Sequence, residues 1–393
     1  MTEKISSLKK DEETFPPREG VFLAHCAISP MQRQARDAAR GFLDAMADGG
    51  ISNLPPYFSL LPRFHQKFGE LLRTDGANIS SVHNTAEGIC LIANGYPFQP
   101  GDEVISYVHE FPSNHYPWRL QEKRGVKLIL LGDHDPLGTL AEVSSPRGWS
   151  MAELAEKVSP RTRIIALSHV QFTSGYAADL KELGAFCRER DIDLVIDGAQ
   201  SVGCLPLYPE EMNVAAVAVS TWKWLMGPFG AGMLYTSPAF RDKIEVTMVG
   251  SSSMQQGLEY LDHSWNPHVD GRKFEYSTLA WEHLAAINGL LEAVFLRCSM
   301  DDVRAEVLRL QDVFLSHLDP HLFTPLLFDE RHRSGILAIV PSCSGEELVK
   351  NIGNHGVVAT LRSEYIRIAP HFYLADEEMK RAAECLNREA GKR

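Results

Sequence analysis

Asp197 and Lys223 are the residues of this chain whose types and settings point most directly to a chemistry. A hydrophobic run, Leu194-Val195-Ile196, delivers the acid at the end of an expected strand, in Asp197-Gly198-Ala199-Gln200. A second apolar run, Val214 to Val219, delivers Ser220 and then Lys223, in Ser220-Thr221-Trp222-Lys223-Trp224. A lysine flanked by two indoles just after a buried strand is partly desolvated. That lowers its pKa and makes the amine nucleophilic. Taken alone, such a lysine is more often structural, and an acid such as Asp197 is as readily a helix N-cap or turn residue. Together they are the pair that pyridoxal phosphate chemistry needs. The amine forms a Schiff base with the aldehyde, and the carboxylate keeps the pyridine nitrogen protonated so that the ring is an electron sink.

Other candidates surround this pair. Gln200 is either an ordinary exposed glutamine or a donor to the phenolic oxygen of the cofactor. Asn84-Thr85-Ala86-Glu87-Gly88 sets a hydroxyl and backbone N–H groups at an expected helix start. That arrangement cradles a phosphate or is a plain N-cap. Phe111, in His109-Glu110-Phe111-Pro112-Ser113, is a core aromatic or a ring that stacks on a pyridine face. Arg367 alternates with apolar residues in Tyr365-Ile366-Arg367-Ile368, so it is an edge residue or the fork that holds a substrate carboxylate. Gly227-Pro228-Phe229-Gly230-Ala231-Gly232 has the wrong glycine order for a dinucleotide loop and precedes a strand instead of joining one to a helix.

The elements that must position these residues alternate. Strands are expected at 104–107, 126–131, 163–167, 192–196, 214–220 and 232–235. Helices are expected from Pro30 toward Ala47, after Pro62, from Thr85, and at 113–123, 151–158 and 179–190. Fully apolar strands alternating with helices imply a mostly parallel sheet covered on both faces, with its site at the carboxyl ends of the strands. The expected class is therefore α/β: a large domain over 21–270 and a smaller α+β domain over 271–393, preceded by a loose polar arm at 1–20. Residues 247–278, rich in Gly, Ser, Asp and His, read as a linker and site loop. The helices 279–296 and 303–318 lead into the small domain, with strands at 335–340 and 365–369 and helices at 346–354 and 376–388.

Composition narrows the classes. The chain has 393 residues, 44% hydrophobic and 23% charged, with a net charge of −12. That length suits a large domain plus a smaller one, and the acidity disfavours a nucleic-acid partner. The start, Met1-Thr2-Glu3-Lys4, has no apolar stretch, so no secretory signal is expected. No apolar run reaches the roughly 18 residues of a membrane span. The seven cysteines are scattered without a CxxC pair, which reads as reduced thiols in a cytoplasmic protein and not as a metal site.

These residues resemble a known family. The chain is similar to the fold-type-I pyridoxal-phosphate enzymes of aminotransferase class V, the group with cysteine desulfurases, kynureninase and isopenicillin-N-epimerase-like proteins. The carriers are the Asp-Gly-Ala-Gln block and Ser220-x-x-Lys223-x-x-x-Gly227-Pro228-x-Gly230-x-Gly232-x-Leu234-Tyr235. The resemblance runs from about Phe22 to Arg388 and implies pyridoxal 5′-phosphate as cofactor and an amino acid as substrate. It implies Lys223 as the Schiff-base lysine, Asp197 at the ring nitrogen and Gln200 at the phenolic oxygen. Thr85, Ala86 and Ser220 match phosphate-binding positions, and Phe111 matches the stacking position. Arg367 matches the carboxylate arginine, and His25 and Ala27 match a loop near the substrate. Thr278, in Phe274-Glu275-Tyr276-Ser277-Thr278, matches a residue that reaches the phosphate of a neighbouring subunit, which implies a homodimer with shared sites.

Three departures mark this chain. Trp222 stands where the family commonly has His. The loop Ser168-His169-Val170-Gln171-Phe172-Thr173 lacks the Asn of desulfurases. Thr360-Leu361-Arg362-Ser363-Glu364 holds no cysteine where desulfurases carry the persulfide thiol. The resemblance thus implies chemistry at Cα of an amino acid, as an aminotransferase-type enzyme or as a C–S lyase or epimerase without a persulfide cysteine. The competing expectation is a non-catalytic binding protein that has kept the fold.

Overall fold

Val217 and Val219 pack to one side of their strand, and Ala216 and Ala218 to the other. The same alternation in the neighbouring strand sends Leu194 and Ile196 one way and Val195 the other. Each strand is thus buried on both faces, which is why its sequence reads as an unbroken apolar run. The computed structural model of the chain describes residues 3–135 and 145–392.

After a short strand β1 (Val21–Phe22) come the strands of the central sheet. These are β2 (Ile79–Val82), β3 (Glu103–Tyr107), β4 (Lys127–Leu131), β5 (Thr162–Ser168), β6 (Asp193–Asp197), β7 (Ala216–Ser220) and β8 (Gly232–Thr236). Among the described residues they form seven strands in the order β2-β8-β7-β6-β5-β3-β4. Every pairing from β4 through β7 is parallel, and β8 alone runs against its neighbours. Helices Leu60–Leu72 and Trp281–Leu290 cover the valine side, and helix Thr85–Gly95 covers the alanine side. The small residues on that side let the Thr85 helix come close. A Cβ on Gly88 would lie 3.0 Å from that of Ala218.

A second apolar cluster gathers Leu337, Ile339, Ile366, Ile368 and Leu386. Its sheet joins β9 (Phe323–Pro325), β10 (Leu337–Pro341), β12 (Thr360–Arg362) and β13 (Tyr365–Ile368) in antiparallel order β12-β13-β10-β9. Between them β11 (Val357–Val358) pairs in parallel with β1. The α/β class with a smaller α+β unit is the architecture found. Among the described residues no helix is long and apolar enough to cross a membrane.

Three expectations differ from what is observed. The stretch 1–20, expected as a loose arm, contains a helix, Glu3–Lys9, although its first two residues lie outside the described ones. Ile5 and Leu8 of that helix are buried in the main core, and Lys9 pairs with the buried Glu306 at 2.5 Å. Two apolar residues in a polar stretch are too weak a periodic signal to show this docking. Core packing also runs across the expected boundary at 270/271. Val21 and Leu23 pack in the second cluster, whereas Leu284, Ile287 and Leu290 pack in the first. The helix Met300–Leu315 passes between them, with Val303 and Val307 in one cluster and Leu310 and Phe314 in the other. Finally, the helix expected at 113–123 is broken into short turns at Pro112–Asn114, Tyr116–Leu120 and Gln121–Arg124.

The close approach of the Thr85 helix can be tested. Ala218→Leu inserts three heavy atoms where Gly88 leaves no room, and overpacking of this kind costs about 1–3 kcal/mol. The denaturation midpoint is expected to fall accordingly; an unchanged midpoint counts against tight packing at this contact.

Candidate active site

The carboxyl ends of β6 and β7 open into a cavity of about 410 Å³, within the usual size of a small-molecule site. It is lined by Asp197, Ala199 and Gln200 after β6, by Ser220, Trp222 and Lys223 after β7, and by Thr85 and Ala86 at a helix start. Phe111 and Phe172 come from the ends of β3 and β5, and Arg362 and Arg367 come from the small lobe. The strand runs that the sequence displays thus bring the expected acid and amine together.

Burial acts on both members of the pair. It lowers the pKa of the Lys223 amine and raises that of the Asp197 carboxyl, and each charge partly offsets the shift of the other. They do not form an ion pair. One Asp197 oxygen accepts from the Ala199 N–H at 2.9 Å. Among the described residues Lys223 makes no hydrogen bond, and its Nζ lies 5.3 Å from the centre of the Phe111 ring. A half-buried amine and a buried acid that face one cavity and are left unmatched are the feature a ring with an aldehyde and a basic nitrogen would complete.

The remaining polar groups fit the same ligand. The hydroxyls of Thr85 and Ser220 lie 2.8 Å apart, and the Thr85 N–H donates to Ser220 Oγ at 3.0 Å. They stand at the N-terminus of helix Thr85–Gly95, capped by Asn84, where the helix dipole favours an anion. The Trp224 indole N–H donates to Gln200 Oε1 at 3.0 Å, which fixes the amide so that its nitrogen end donates to the Cys26 carbonyl at 2.8 Å. One amide hydrogen is left for a ligand. Met226, at φ 55°, holds the turn after Lys223 in a left-handed conformation that a non-glycine residue rarely adopts.

Arg367 is buried in β13. Its guanidinium donates to Thr360 Oγ1 from Nε at 3.2 Å and Nη2 at 2.9 Å, and to the Phe172 carbonyl from Nη1 at 2.7 Å. No carboxylate among the described residues neutralises it. A buried guanidinium without an acid is costly unless a ligand supplies one.

Two expected site residues stand elsewhere. His25 does not line the cavity. It is fully buried, where its Nδ1–H donates to the Ala369 carbonyl at 2.8 Å and its Nε2 accepts from the Tyr373 hydroxyl at 2.8 Å. Burial pushes its pKa well down, so it is a neutral structural imidazole. Its neighbours Cys26, Ala27 and Ile28 face the cavity instead. Thr278 is exposed and does not reach the cavity of its own chain; nearby, the Tyr276 hydroxyl donates to Glu87 at 3.0 Å. Trp222 lines the cavity and stacks on the exposed Phe229, with centroids 5.6 Å apart.

The sequence reading missed Glu110, Cys26, Phe172 and Arg362. Glu110 stood in a quoted motif, next to Phe111. Its carboxylate is fully buried and accepts from the Ser168 N–H at 2.8 Å, the Ser168 hydroxyl and the Gln171 amide at 2.9 Å. Burial, with the Asp197 charge adding to it, raises its pKa to about 7.

Residues 59–360 match the family described as Aminotransferase class-V. The chain belongs to that family. It is 30% identical over 190 residues to a probable cysteine desulfurase of Pyrococcus abyssi, covering 47% of this chain and 44% of that protein. It is 26% identical over 225 residues to isopenicillin N epimerase of Streptomyces clavuligerus, covering 56% of this chain and 54% of that protein. The chain therefore spans about half the length of several curated relatives it matches. In fold it is similar to a cysteine desulfurase of Thermococcus onnurineus, with a TM-score of 0.84, 19% identity and coverage of 98% and 97% of the two chains. A cystine C–S lyase in complex with cysteine persulfide gives a TM-score of 0.83 at 20% identity, covering 95% and 98%. The family's cofactor is pyridoxal 5′-phosphate, and the unmatched amine, the unmatched acid and the anion cradle fit it.

Glu110 generates a pH prediction. Its folded-state pKa lies above the ordinary 4.5. Its protonated form therefore favours the native state below about pH 4.5, and that contribution is lost as pH rises through 7. The melting temperature of Glu110→Gln, relative to wild type, is expected to climb between about pH 5 and pH 8. A difference independent of pH counts against a buried, titrating Glu110.

Proposed function

We propose that this chain is a pyridoxal-phosphate enzyme that removes the Cα proton of an amino-acid substrate. The observation that carries this reading is the joint placement around one cavity of Asp197 and Arg367, both buried, and Lys223, half-buried, none matched among the described residues by an opposite charge at bonding distance. When bound, the cofactor supplies an aldehyde for an amine and a ring that takes up carbanion charge. Asp197 would hold a proton at the ring nitrogen. Thr85, Ala86 and Ser220 would hold the phosphate at the helix start. Phe111 would pack on a ring face, and Gln200 would offer its remaining amide hydrogen to the phenolic oxygen.

Arg367 binds the substrate carboxylate, and its bonds to Thr360 and Phe172 hold the guanidinium in one orientation. That orientation sets Cα over the Lys223 amine. The amine, whose pKa burial lowers, takes the proton from Cα. Loss of the side chain from Cβ is the second reading. The relatives named cysteine desulfurase and the lyase fold neighbour favour it, as does the lack of a cysteine in 360–364, which leaves the sulfur to depart without passing to a loop thiol. Transamination yields the 2-oxo acid with its side chain intact, whereas elimination from a cysteine derivative yields pyruvate, ammonia and the sulfur fragment.

A panel of L- and D-amino acids and cysteine conjugates, with product analysis, separates these outcomes. Lys223→Ala is expected to lower turnover by about 10²–10⁴-fold, the range for loss of a general base, and to lose the visible absorbance of the bound cofactor. Wild type that gains no such absorbance on reconstitution sinks the proposal. Arg367→Ala is expected to raise KM by roughly 10- to 100-fold, since hydrogen bonds to a charged group contribute about 1.5–3 kcal/mol, while cofactor binding persists. An unchanged KM removes Arg367 from the carboxylate role.

We also infer a homodimer in which Thr278 of one copy serves the phosphate of the other. In support, Thr278 is exposed and does not line its own cavity, and Leu258, Tyr260, Leu261, Trp265 and Val269 of the same irregular segment are exposed. Apolar side chains so concentrated mark an association face. Sedimentation is expected to give twice the chain mass, and Trp265→Glu with Leu261→Glu is expected to shift it toward one chain; a monomeric wild type refutes the arrangement.

A further inference from the structure

The cavity carries more positive charge than the proposed chemistry uses. Its lining includes Lys223, Arg367 and Arg362, against the single carboxylate of Asp197. This occurs in a chain with 51 acidic and 39 basic residues. In the reading above, Lys223 is engaged by the aldehyde, Asp197 by the ring nitrogen and Arg367 by the α-carboxylate, and the helix terminus holds the phosphate. Arg362 is left over.

Strand geometry aims it at the site. Thr360 pairs with Arg367 across β12 and β13, and Arg362 pairs with Tyr365. Residues two apart on a strand share a face, so Arg362 lies on the face of Thr360, whose hydroxyl accepts from Arg367. Leu361, between them, packs against the second cluster on the other side. Arg362 is therefore the diagonal neighbour of Arg367, with their positions roughly 7–8 Å apart. Among the described residues its one hydrogen bond, from Nη1 to the adjacent Leu361 carbonyl at 3.1 Å, leaves most of the guanidinium free, and among them it has no ion pair. The nearest acid in sequence, Glu364, is turned to Ser145, whose hydroxyl donates to its carboxylate at 2.9 Å and accepts from its N–H at 3.0 Å.

We propose that Arg362 is a specificity residue and that the substrate is an amino acid whose side chain ends in an oxyanion, a carboxylate or sulfur oxyacid. This rests on the amino-acid reading above and adds the substrate class. The α-carboxylate sits on Arg367 and the terminal oxyanion on Arg362. The diagonal spacing favours side chains of about glutamate length or one atom longer over shorter ones.

The test is a spectral titration of the cofactor-loaded full chain with isosteric pairs: S-carboxymethyl-L-cysteine against S-carbamoylmethyl-L-cysteine, and L-glutamate against L-glutamine. Arg362 is exposed, so its charge is screened, and the expected preference for the anionic member is modest, roughly three- to tenfold, and shrinks with added salt. In Arg362→Gln the ratio is expected to fall to about one, and Arg362→Lys is expected to restore part of it. Equal affinities within each pair in wild type, or a ratio that Arg362→Gln leaves intact, overturns the assignment while the amino-acid reading stands. If no amino acid perturbs the spectrum of the loaded protein, the underlying reading fails and the assignment falls with it.

Discussion

An amine and a carboxylate partly withdrawn from water around one cavity without pairing are expensive to maintain, and most of this fold can be understood as holding them there. Desolvation works against both charges. Among the described residues Asp197 accepts a hydrogen bond from the Ala199 N–H, and Lys223 has only the face of the Phe111 ring beside it. Both leave the ends of neighbouring parallel strands whose alternate residues are locked into two different cores. Neither strand can slide to let the pair close, because a one-residue slip would exchange the faces of every valine and alanine.

The small lobe completes the cavity, and the contacts that fix it run through buried, neutral, hydrogen-bonded groups. His371 donates from Nε2 to the Trp224 carbonyl at 2.8 Å, one residue from Lys223, and accepts from the Phe372 N–H at 2.9 Å. His25 joins Ala369 and Tyr373 in the same way, and Phe15 stacks on Tyr373 at 4.6 Å. Burial holds both imidazoles neutral, so the lobes are pinned without adding charge beside the cavity. The segment before the first large helix thus belongs to both lobes: β1 pairs with the small lobe, and the next residues line the site.

The features that set this chain apart from the desulfurase pattern concentrate on the rim of the cavity. Trp222 puts an indole, braced by Phe229, where a histidine is common. The β12–β13 corner has Arg362 and no thiol. Cys26 faces the cavity from the opposite side, on the N-terminal loop. Asp197, Gln200, Ser220 and Lys223 line the cavity beside them. In the proposed function, chemistry at Cα would depend on these four and what enters on the departures around them, and a family name does not by itself fix either.

Asp197, Gln200, Ser220, Lys223 and Thr85 were legible in the sequence because each follows or precedes an apolar run whose period and length reveal an element end. The α/β class was legible for the same reason. Local pattern carries that information because strands buried on both faces must be apolar throughout. The docking of Glu3–Lys9, the sharing of the helix Met300–Leu315 between two cores and the withdrawal of His25 from the cavity were not legible. Each depends on contacts between segments far apart in the chain, which no local periodicity encodes. The same holds for Arg362. Its neighbours in sequence say only that it lies near a turn. The pairing of β12 with β13 makes it the diagonal partner of Arg367 and puts a second guanidinium at the mouth of the site.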